Sequence, residues 1–445
     1  MNRIDAVREI HKLEQETGIH SIKRHGISLY QLVSVAVTMN LITDPGFRTN
    51  EGRIGSLKRM YKKRNDIFLK IPENIQYNTE DKSVLFMLRG KYNEMGQDVL
   101  IHEYYEYYKE NFRGQILCID RKLEAIAEPN CYGTKTFTNH FKDFSKNFIR
   151  ENDDIVNFTK EEIEKIRKFE NQLLKLGYSG MLFSRLLSMK ARDFLVERLN
   201  YLIYLKINKV KKIYLSLGYV HVGLLAAAKE LNITTVEIQY ANISKLHPGF
   251  SFVTREVLTA DYLIVWGAYF GEQLECNNSQ LLYRSPVFLR NQDYKKKEQI
   301  LVIVQKLEFR HFEKLIKPLA ENNEFPIIFR MPLGINLNNT FITQLKKYNV
   351  KISEAKDPKS TMEYISESKW VLSGYSTALI ESMGQKSVTI SYQDIPNSEE
   401  FYPYISAGYM HELTSFDMRN YEYTSQKSEL FHDLEVEAII NEIEK

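Results

Sequence analysis

Two hydroxyl side chains, Ser376 and Thr377, stand where the sequence predicts the start of a helix. They follow a short apolar strand that ends at Ser373 and Gly374, where the chain turns. The first backbone N–H groups of a helix have no acceptor within it, so with nearby hydroxyls they suit a phosphate or another anion. Glu381 lies four residues after Thr377 on the same helix face, where a carboxylate could hold a ribose diol. The alternative is that Ser376 is an ordinary N-cap and Glu381 a solvated helix residue.

A second set of polar residues surrounds the end of a predicted strand at Gln239. Open parallel sheets place ligand groups at the carboxyl ends of their strands, so we expect Gln239, Tyr240 and Asn242 to line a cleft. His247 is the first candidate for a general base, because an unperturbed imidazole titrates near neutrality; alternatively it caps a turn. Glu237 lies inside the strand, which reads as buried, so its carboxylate is either paired or catalytic, and it is the second candidate for the base.

Cationic residues follow two other predicted strands. Arg330 ends an apolar strand, and a guanidinium at that place suits a diphosphate, which it can bind with two parallel hydrogen bonds. The alternative is an ion pair with a carboxylate such as Glu324. Lys306 and Arg310 lie in the loop after the first strand of the second half, where they either reach phosphates or keep the loop soluble.

The composition describes a globular protein without a strong charge. The chain has 445 residues, 43% of them hydrophobic, and a formal net charge of +3. That length predicts two domains, and the small net charge does not indicate a nucleic-acid partner. The three cysteines, Cys118, Cys131 and Cys276, form no CxxC pair, so neither a metal site nor a disulfide framework is predicted. A reducing cytoplasm fits this cysteine usage best.

No segment reads as a signal peptide or a transmembrane helix. The N-terminus is charged throughout, and the longest apolar run, Leu32 to Ile42, is far shorter than the roughly 20 residues that cross a bilayer. The basic segment Arg53 to Arg64 has apolar residues at helical spacing. It is either a solvated helix face or a contact with an anionic membrane surface. We therefore expect a cytoplasmic protein, with peripheral contact at the inner face of the membrane as the open alternative.

Short apolar strands alternate with helices after about 80 residues that read as mostly helical with no clear strand. The alternation predicts an α/β protein with two doubly wound, Rossmann-like domains facing a cleft. We expect an N-terminal domain at residues 1–285, a C-terminal domain at 298–425, and a C-terminal helix at 426–445. Packing of this helix back on the N-terminal domain is one open alternative. The predicted strands are Ser83–Met87, Gln115–Ile119, Lys212–Leu217, Thr234–Gln239, Asp261–Trp266, Gln299–Val304, Pro326–Phe329, Val350–Ser353, Trp370–Leu372 and Ser387–Ser391, with a linker at Tyr283–Lys297.

Two stretches carry a family resemblance. The segment SGYSTALIES resembles the donor-binding segment of GT-B glycosyltransferases of bacterial capsule and surface-polysaccharide synthesis, in which an "ST…E" helix holds the nucleotide of an activated sugar. The segment AAAKELNITTVEIQYANISKLHPGFSF is similar to a stretch of the same group, in which "velQHG" precedes a histidine and a Gly-aromatic pair. The resemblance covers the chain from about Ser83 to Leu413. It implies a GT-B fold, a nucleotide and ribose facing Ser373, Ser376, Thr377 and Glu381, and an acceptor facing Gln239 and His247.

The chain departs from this family pattern in two places. Gln239-Tyr240-Ala241 stands where relatives have Gln-His-Gly, and Phe329-Arg330-Met331-Pro332 lacks the histidine of their Lys/Arg-x-His-Pro segment. A tyrosine is a poor base at neutral pH because its unperturbed pKa is about 10. A changed acceptor chemistry, or a binding protein without turnover, therefore stays open.

The sequence also excludes several enzyme classes. There is no Walker A, GxGxxG, HExxH or GxSxG motif, and no DxD pair near a strand end. We expect a metal-independent glycosyltransferase without cofactors, which moves a sugar from a nucleotide-sugar donor to a capsule or surface-glycan precursor, free or lipid-linked. The alternatives are a sugar-nucleotide epimerase of the same fold, or a non-catalytic protein that binds glycans or partner enzymes.

Overall fold

The structure, a computed structural model, describes eleven parts of the chain: residues 3–42, 83–88, 97–120, 156–289, 295–305, 309–332, 339–354, 357, 359–395, 398–424 and 430–445. The basic segment Arg53 to Arg64 and the residue Lys306 lie outside these parts. The membrane contact predicted for that segment therefore stays a prediction.

The first domain begins with helices and continues as an α/β unit. In chain order its elements are α1 (Arg3–Thr17), β1 (Lys23–Arg24), β2 (Ile27–Ser28), α2 (Ser34–Ile42), β3 (Ser83–Leu88), α3 (His102–Asn111), β4 (Gln115–Asp120), α4 (Lys160–Lys175), α5 (Phe183–Ile207), β5 (Val210–Leu215), α6 (Val222–Glu230), β6 (Thr234–Ile238), β7 (Tyr262–Val265), α7 (Ala268–Gly271) and β8 (Gln280–Tyr283).

Strands β3 to β8 form one parallel six-stranded sheet in the order β4-β3-β5-β6-β7-β8. Every residue of β3 is buried, as expected for a strand whose two faces are both covered by helices. On one face Leu85 and Met87 pack with α1, α2, α5 and α6; on the other, Val84 and Phe86 pack with α3. The helical extension thus belongs to the core of the first domain.

The second domain repeats the architecture with a different strand order. Its elements are β9 (Lys297–Ile303), α8 (Phe309–Glu313), α9 (Ile316–Asn322), β10 (Ile327–Arg330), α10 (Asn339–Lys347), β11 (Lys351–Ser353), α11 (Thr361–Glu367), β12 (Ser368–Ser373), α12 (Ala378–Gly384), β13 (Val388–Ser391), α13 (Tyr402–Ser406) and β14 (His411–Glu412). The parallel sheet has the order β11-β10-β9-β12-β13-β14. The predicted fold class, two doubly wound α/β domains, is confirmed.

Four short strands were not predicted from the sequence: β1, β2, β8 and β14. Strand β8 is a half-buried edge strand whose last residue, Tyr283, we assigned to the linker, and β14 is too short to show a pattern. The expectation of no strand before residue 80 was wrong for β1 and β2, which pair as a small hairpin. His25 and Gly26 at its turn both have positive φ, 50° and 75°, as a two-residue hairpin loop requires.

Helix α14 (Val436–Glu444) returns the chain to the first domain. Val436, Ile439, Ile440 and Ile443 are buried in the cluster that contains Tyr104 and Tyr108 of α3. Lys212 of β5 pairs with Glu444 at the end of the helix. The chain therefore crosses between the domains twice, before β9 and after β14.

In the part of the chain that the structure describes, no helix is long and apolar enough to span a membrane.

We predict that Ile440→Ala lowers the free energy of unfolding of the first domain by about 2–5 kcal/mol, because it leaves a cavity under a side chain that is 2% exposed. Urea titration followed by circular dichroism measures the change. Leu434→Ala, at a side chain 44% exposed just before the same helix, is the matched control and should shift stability by about 0.5 kcal/mol or less. Equal losses in the two variants would contradict the docking of α14.

Candidate functional site

The second-domain sheet reverses its direction of growth between β9 and β12. The chain proceeds from β9 to β10 and β11 on one side, and from β12 to β13 and β14 on the other. The loops at the carboxyl ends of β9 and β12 therefore leave in opposite directions, and this is the position at which open α/β sheets bind ligands. The turn that follows β12, singled out from the sequence, lies at this switch point.

Gly374 allows the two loops to approach closely. An added β-carbon at Gly374 would lie 2.8 Å from Gln305 Oε1 and 2.8 Å from Ile395 Cδ1, so a larger residue does not fit without movement. Gln305, directly after β9, accepts a hydrogen bond from the backbone N–H of Tyr375 at 2.9 Å. Gly374 therefore shapes the turn and has no side chain with which to bind a ligand.

The hydroxyl of Ser373 is used within the sheet, so the geometry contradicts the prediction that it faces the nucleotide. Its side chain is fully buried, and its hydroxyl donates to the carbonyl of Ile303 in the neighbouring strand at 2.7 Å. Side chains alternate between the two faces of β12, and that of Ser373 lies on a face that is covered. Ser373 thus ties the two strands of the switch point together.

Ser376 and Thr377 are half-buried and begin α12. Ser376 Oγ accepts from the backbone N–H of Ala378 at 3.3 Å, a weak cap. Within the described residues, the backbone N–H groups of Ser376 and Thr377 donate no hydrogen bond. Two adjacent backbone donors at a switch-point crevice suit an anion.

Helix α12 has one face in an apolar cluster that both domains share. We call it the interdomain cluster; it includes Trp266, Phe270 and Leu289 of the first domain and Leu379, Ile380, Met383, Phe401 and Tyr404 of the second. Glu381 is half-buried on the same helix, one turn after Thr377, whose carbonyl accepts its backbone N–H at 3.0 Å.

Arg330 is buried among groups of its own domain. Its Nη1 donates to Ser353 Oγ at 2.7 Å and to the carbonyl of Glu354, and its Nε donates to Thr361 Oγ1 at 3.2 Å. Asp357, not Glu324, is its ionic partner, at 3.8 Å. The geometry therefore contradicts the predicted diphosphate contact, because the guanidinium fixes the loop after β11 instead.

Of the other two predicted phosphate ligands, only Arg310 lies in a described part of the chain. It is an exposed residue in α8, just beyond the loop that leaves β9 at the switch point. Arg310 is thus a cation on the same edge of the sheet as the Ser376–Thr377 turn.

Glu237 is a buried carboxyl group without a cationic partner among the described residues. Its Oε1 accepts from the backbone N–H of Gly218, just after β5, at 2.7 Å. A β-carbon on Gly218 would lie 2.4 Å from Glu237 Oε2, so a larger residue there would force the Glu237 carboxyl to move. Burial raises the pKa of Glu237 to about 7, and the Gly218 hydrogen bond opposes this shift only in part. A group with that pKa exchanges a proton near neutral pH, as a general acid or base must.

His247 is poorly suited to be the base, contrary to our first choice. Its ring packs between Tyr219 and Phe250, at centroid distances of 5.7 and 5.2 Å. Burial, and next the charge of Arg3, lower its pKa to about 3. Its Nδ1 accepts from the backbone N–H of Gly249 at 3.1 Å, so the proton of the neutral ring lies on Nε2. His247 therefore offers a hydrogen-bond donor and not a proton acceptor.

The expected acceptor-side residues are bound within the protein. Gln239 accepts from the backbone N–H of Trp266 at 2.8 Å and donates to the carbonyl of Ala241 at 2.9 Å. Asn242 donates to Glu400 Oε1 at 3.0 Å and accepts from Tyr404 at 2.5 Å, both in the second domain. Tyr240 is half-buried against the cluster on the α3 side of the sheet. Gln239 and Asn242 are buried, so the expectation that they line an open cleft was wrong; for the half-buried Tyr240 it stays a prediction.

The structure adds residues that the sequence analysis missed. Gly218 and Glu400 each meet a candidate residue that is far away in the chain, 19 positions for Gly218 and Glu237 and 158 for Glu400 and Asn242. No motif marks either of them, because only the folded topology brings these pairs together. Within the described ranges, no group of three or more histidine, cysteine or acidic side chains is arranged to hold a metal ion.

No protein-family model and no curated protein matches the sequence. Among solved structures, the chain is similar to the UDP-GlcNAc 2-epimerase from Methanocaldococcus jannaschii, with 11% identity, a TM-score of 0.46, and coverage of 82% of this chain and 99% of that one. It is similar to S. aureus MnaA, solved with UDP, at 10% identity and a TM-score of 0.47, over 82% and 96% of the two chains. It is also similar to Acinetobacter baumannii MurG, with 11% identity, a TM-score of 0.40, and coverage of 74% of this chain and 85% of that one. These identities and TM-scores are too low to assign a site or an activity.

We predict that Glu237 gives the free energy of unfolding a specific pH dependence. Because its pKa is raised from 4.5 to about 7 on folding, the folded state holds a proton that the unfolded state has lost over this range. Its contribution is therefore complete below pH 4.5 and decreases through pH 7, by roughly 3 kcal/mol in total.

Urea unfolding of the wild type and Glu237→Gln from pH 4 to 8 measures this difference. The lowered pKa of His247 acts in the opposite direction but is common to both proteins, so it cancels. A difference that does not change with pH would show that folding leaves the pKa of Glu237 unchanged.

Proposed function

We propose that this protein is a glycosyltransferase that needs no metal and moves a sugar from a nucleotide-sugar donor to a capsule or surface-glycan precursor. The observation that carries the proposal is the turn at the β9/β12 switch point, where Ser376 and Thr377 present two backbone N–H groups without an acceptor among the described residues. The SGYSTALIES resemblance to donor-binding segments supports the same assignment independently of the geometry.

In this proposal the donor diphosphate binds at the start of α12. The N–H groups of Ser376 and Thr377 and the exposed Arg310 would stabilise the charge that develops on the departing nucleotide. Glu381, one turn further, would bind the ribose diol. Arg330 has a supporting role, because it fixes the loop after β11 beside the crevice.

We assign the acid–base role to Glu237 and a donor role to His247. A carboxyl with a pKa of about 7 combines a useful fraction of the ionised form with enough basicity to accept a hydroxyl proton. The acceptor hydroxyl would approach Oε2, because Oε1 is bound to Gly218. The Nε2–H of His247 would donate a hydrogen bond to a substrate oxygen.

A sugar-nucleotide epimerase is the second candidate, and one observation favours it. Gln239 and Asn242, which a transferase was expected to present to its acceptor, are both hydrogen-bonded inside the protein. An enzyme that converts a nucleotide sugar without an acceptor has no need of them. The two candidates share the donor site and differ in whether turnover requires an acceptor.

We predict that one nucleotide among UDP, CMP, GDP and their sugars raises the thermal midpoint, and that Glu381→Ala weakens its binding about 10-fold or more, as expected when one hydrogen bond to a charged group is lost. Isothermal titration calorimetry measures the affinity. Glu412→Ala, at an exposed residue after β13, is the matched control and should bind like the wild type. No shift with any nucleotide would favour the non-catalytic alternative.

We also predict that Glu237→Gln abolishes turnover while the nucleotide affinity stays within about 2-fold of the wild type, because Glu237 lies in the other domain. Donor consumption is followed by chromatography with and without crude glycan acceptor. Consumption that needs the acceptor supports the transferase, and consumption without it supports the epimerase. Normal turnover in Glu237→Gln would remove Glu237 from the mechanism.

A further inference from the structure

The carboxylate of Glu400 is buried at the boundary between the two domains. Its Oε1 accepts from Asn242 Nδ2 at 3.0 Å and from Ser244 Oγ at 3.1 Å, and its Oε2 pairs with Arg3. The side chains of Arg3 and Glu400 are 9% and 5% exposed. The charge is thus held by three donors in a site from which water is largely excluded.

All three donors belong to the first domain, whereas Glu400 belongs to the second. Arg3 is the first residue of α1, in the helical extension, and Asn242 and Ser244 follow β6. Glu400 lies in the one-turn 3₁₀ helix Ser398–Phe401 between β13 and α13. Tyr404 adds a fourth bond across the boundary, from its hydroxyl to Asn242 Oδ1 at 2.5 Å. The N-terminal helix therefore contacts the second domain through one charged pair.

The energetics of this pair differ from those of a surface ion pair. Removal of one partner leaves the other charge buried and uncompensated, which is strongly unfavourable. Each domain has apolar clusters of its own, so the boundary can open around the pair and hydrate the remaining charge without unfolding either core, while the interdomain cluster opposes this opening. The two crossings of the chain, before β9 and after β14, would hold the separated domains together.

We propose that Arg3 and Glu400 form a latch that holds the two domains in the observed arrangement, with the N-terminal helix as the element that controls their separation. The latch also connects to the switch-point turn by a series of hydrogen bonds. Ser398 Oγ donates to the carbonyl of Gln393 at 2.8 Å, Gln393 Nε2 donates to Ser391 Oγ at 2.6 Å, and Ser391 Oγ donates to the carbonyl of Gly374 at 3.2 Å. Ser398 and Glu400 lie in the same 3₁₀ helix, so this series links the helix that carries Glu400 to the turn before α12.

The test compares Arg3→Met, Glu400→Gln and the double variant without any nucleotide, so its result does not depend on the proposed function. Small-angle scattering gives the radius of gyration, and hydrogen exchange with mass spectrometry reports on residues 241–244 and α1. Each single variant should have a larger radius of gyration and exchange about 10-fold faster at 241–244, with near-wild-type circular dichroism. The double variant should recover most of the wild-type values, because no buried charge is left unpaired.

Glu275→Gln is the matched control, since Lys245 and Glu275 form an ion pair near the same segment, with side chains 56% and 67% exposed. It should leave both measurements unchanged. If a single variant fails to fold, Ser244→Ala removes only one hydroxyl from Glu400 and should show a smaller change of the same kind. A wild-type radius of gyration and wild-type exchange in the folded variants would overturn the latch, as would equal effects in the single and double variants.

Discussion

Helix α12 packs its apolar face against the first domain while its polar N-terminus forms part of the switch-point crevice. Leu379, Ile380 and Met383 are almost fully buried with Trp266 and Phe270 in the interdomain cluster. Truncation of such side chains typically costs about 2–5 kcal/mol each, so this contact fixes the direction of the helix strongly. The Ser376–Thr377 turn is consequently positioned by both domains, although its own residues belong to the second one.

The fold class could be predicted because the buried strands of the sheets have a recognisable apolar pattern in the local sequence. Strand β3 is an apolar run after Ser83, and β9 is one after Gln299. Because such strands alternate with helices, the pattern predicts parallel sheets. Strand order was not accessible, since register and neighbours depend on contacts distant in the chain. Two of the strands that escaped prediction, β8 and β14, are edge elements of four and two residues, in which burial imposes little pattern.

The sequence predicted where the candidate residues lie, and the hydrogen bonds in the structure changed the roles assigned to several of them. Residues at the carboxyl ends of strands were found from the sequence, because the motif, the turn and the helix start are contiguous. The role of each side chain depends on its hydrogen-bond partners, which are distant in the chain and cannot be predicted from the sequence. Arg330 donates from Nε and Nη1 to Ser353, Thr361 and Glu354 of its own domain. The ring of His247 carries its proton on Nε2, because its Nδ1 accepts from Gly249. The glycine opposite Glu237 is likewise invisible until β5 and β6 are placed side by side.

The boundary between the domains combines an apolar cluster with a buried charged network, and the two have different physical consequences. An apolar contact of similar volume in place of Arg3 and Glu400 would often be equally or more stable, so stability alone does not explain a buried ion pair. The difference appears when the domains part. Separated apolar faces lose favourable burial in proportion to their area, whereas a separated ion pair regains hydration on both charges. The part of the boundary closed by Arg3 and Glu400 can therefore open at lower cost than the part closed by the interdomain cluster, and the position of Arg3 at the start of α1 gives the N-terminal helix control over that step.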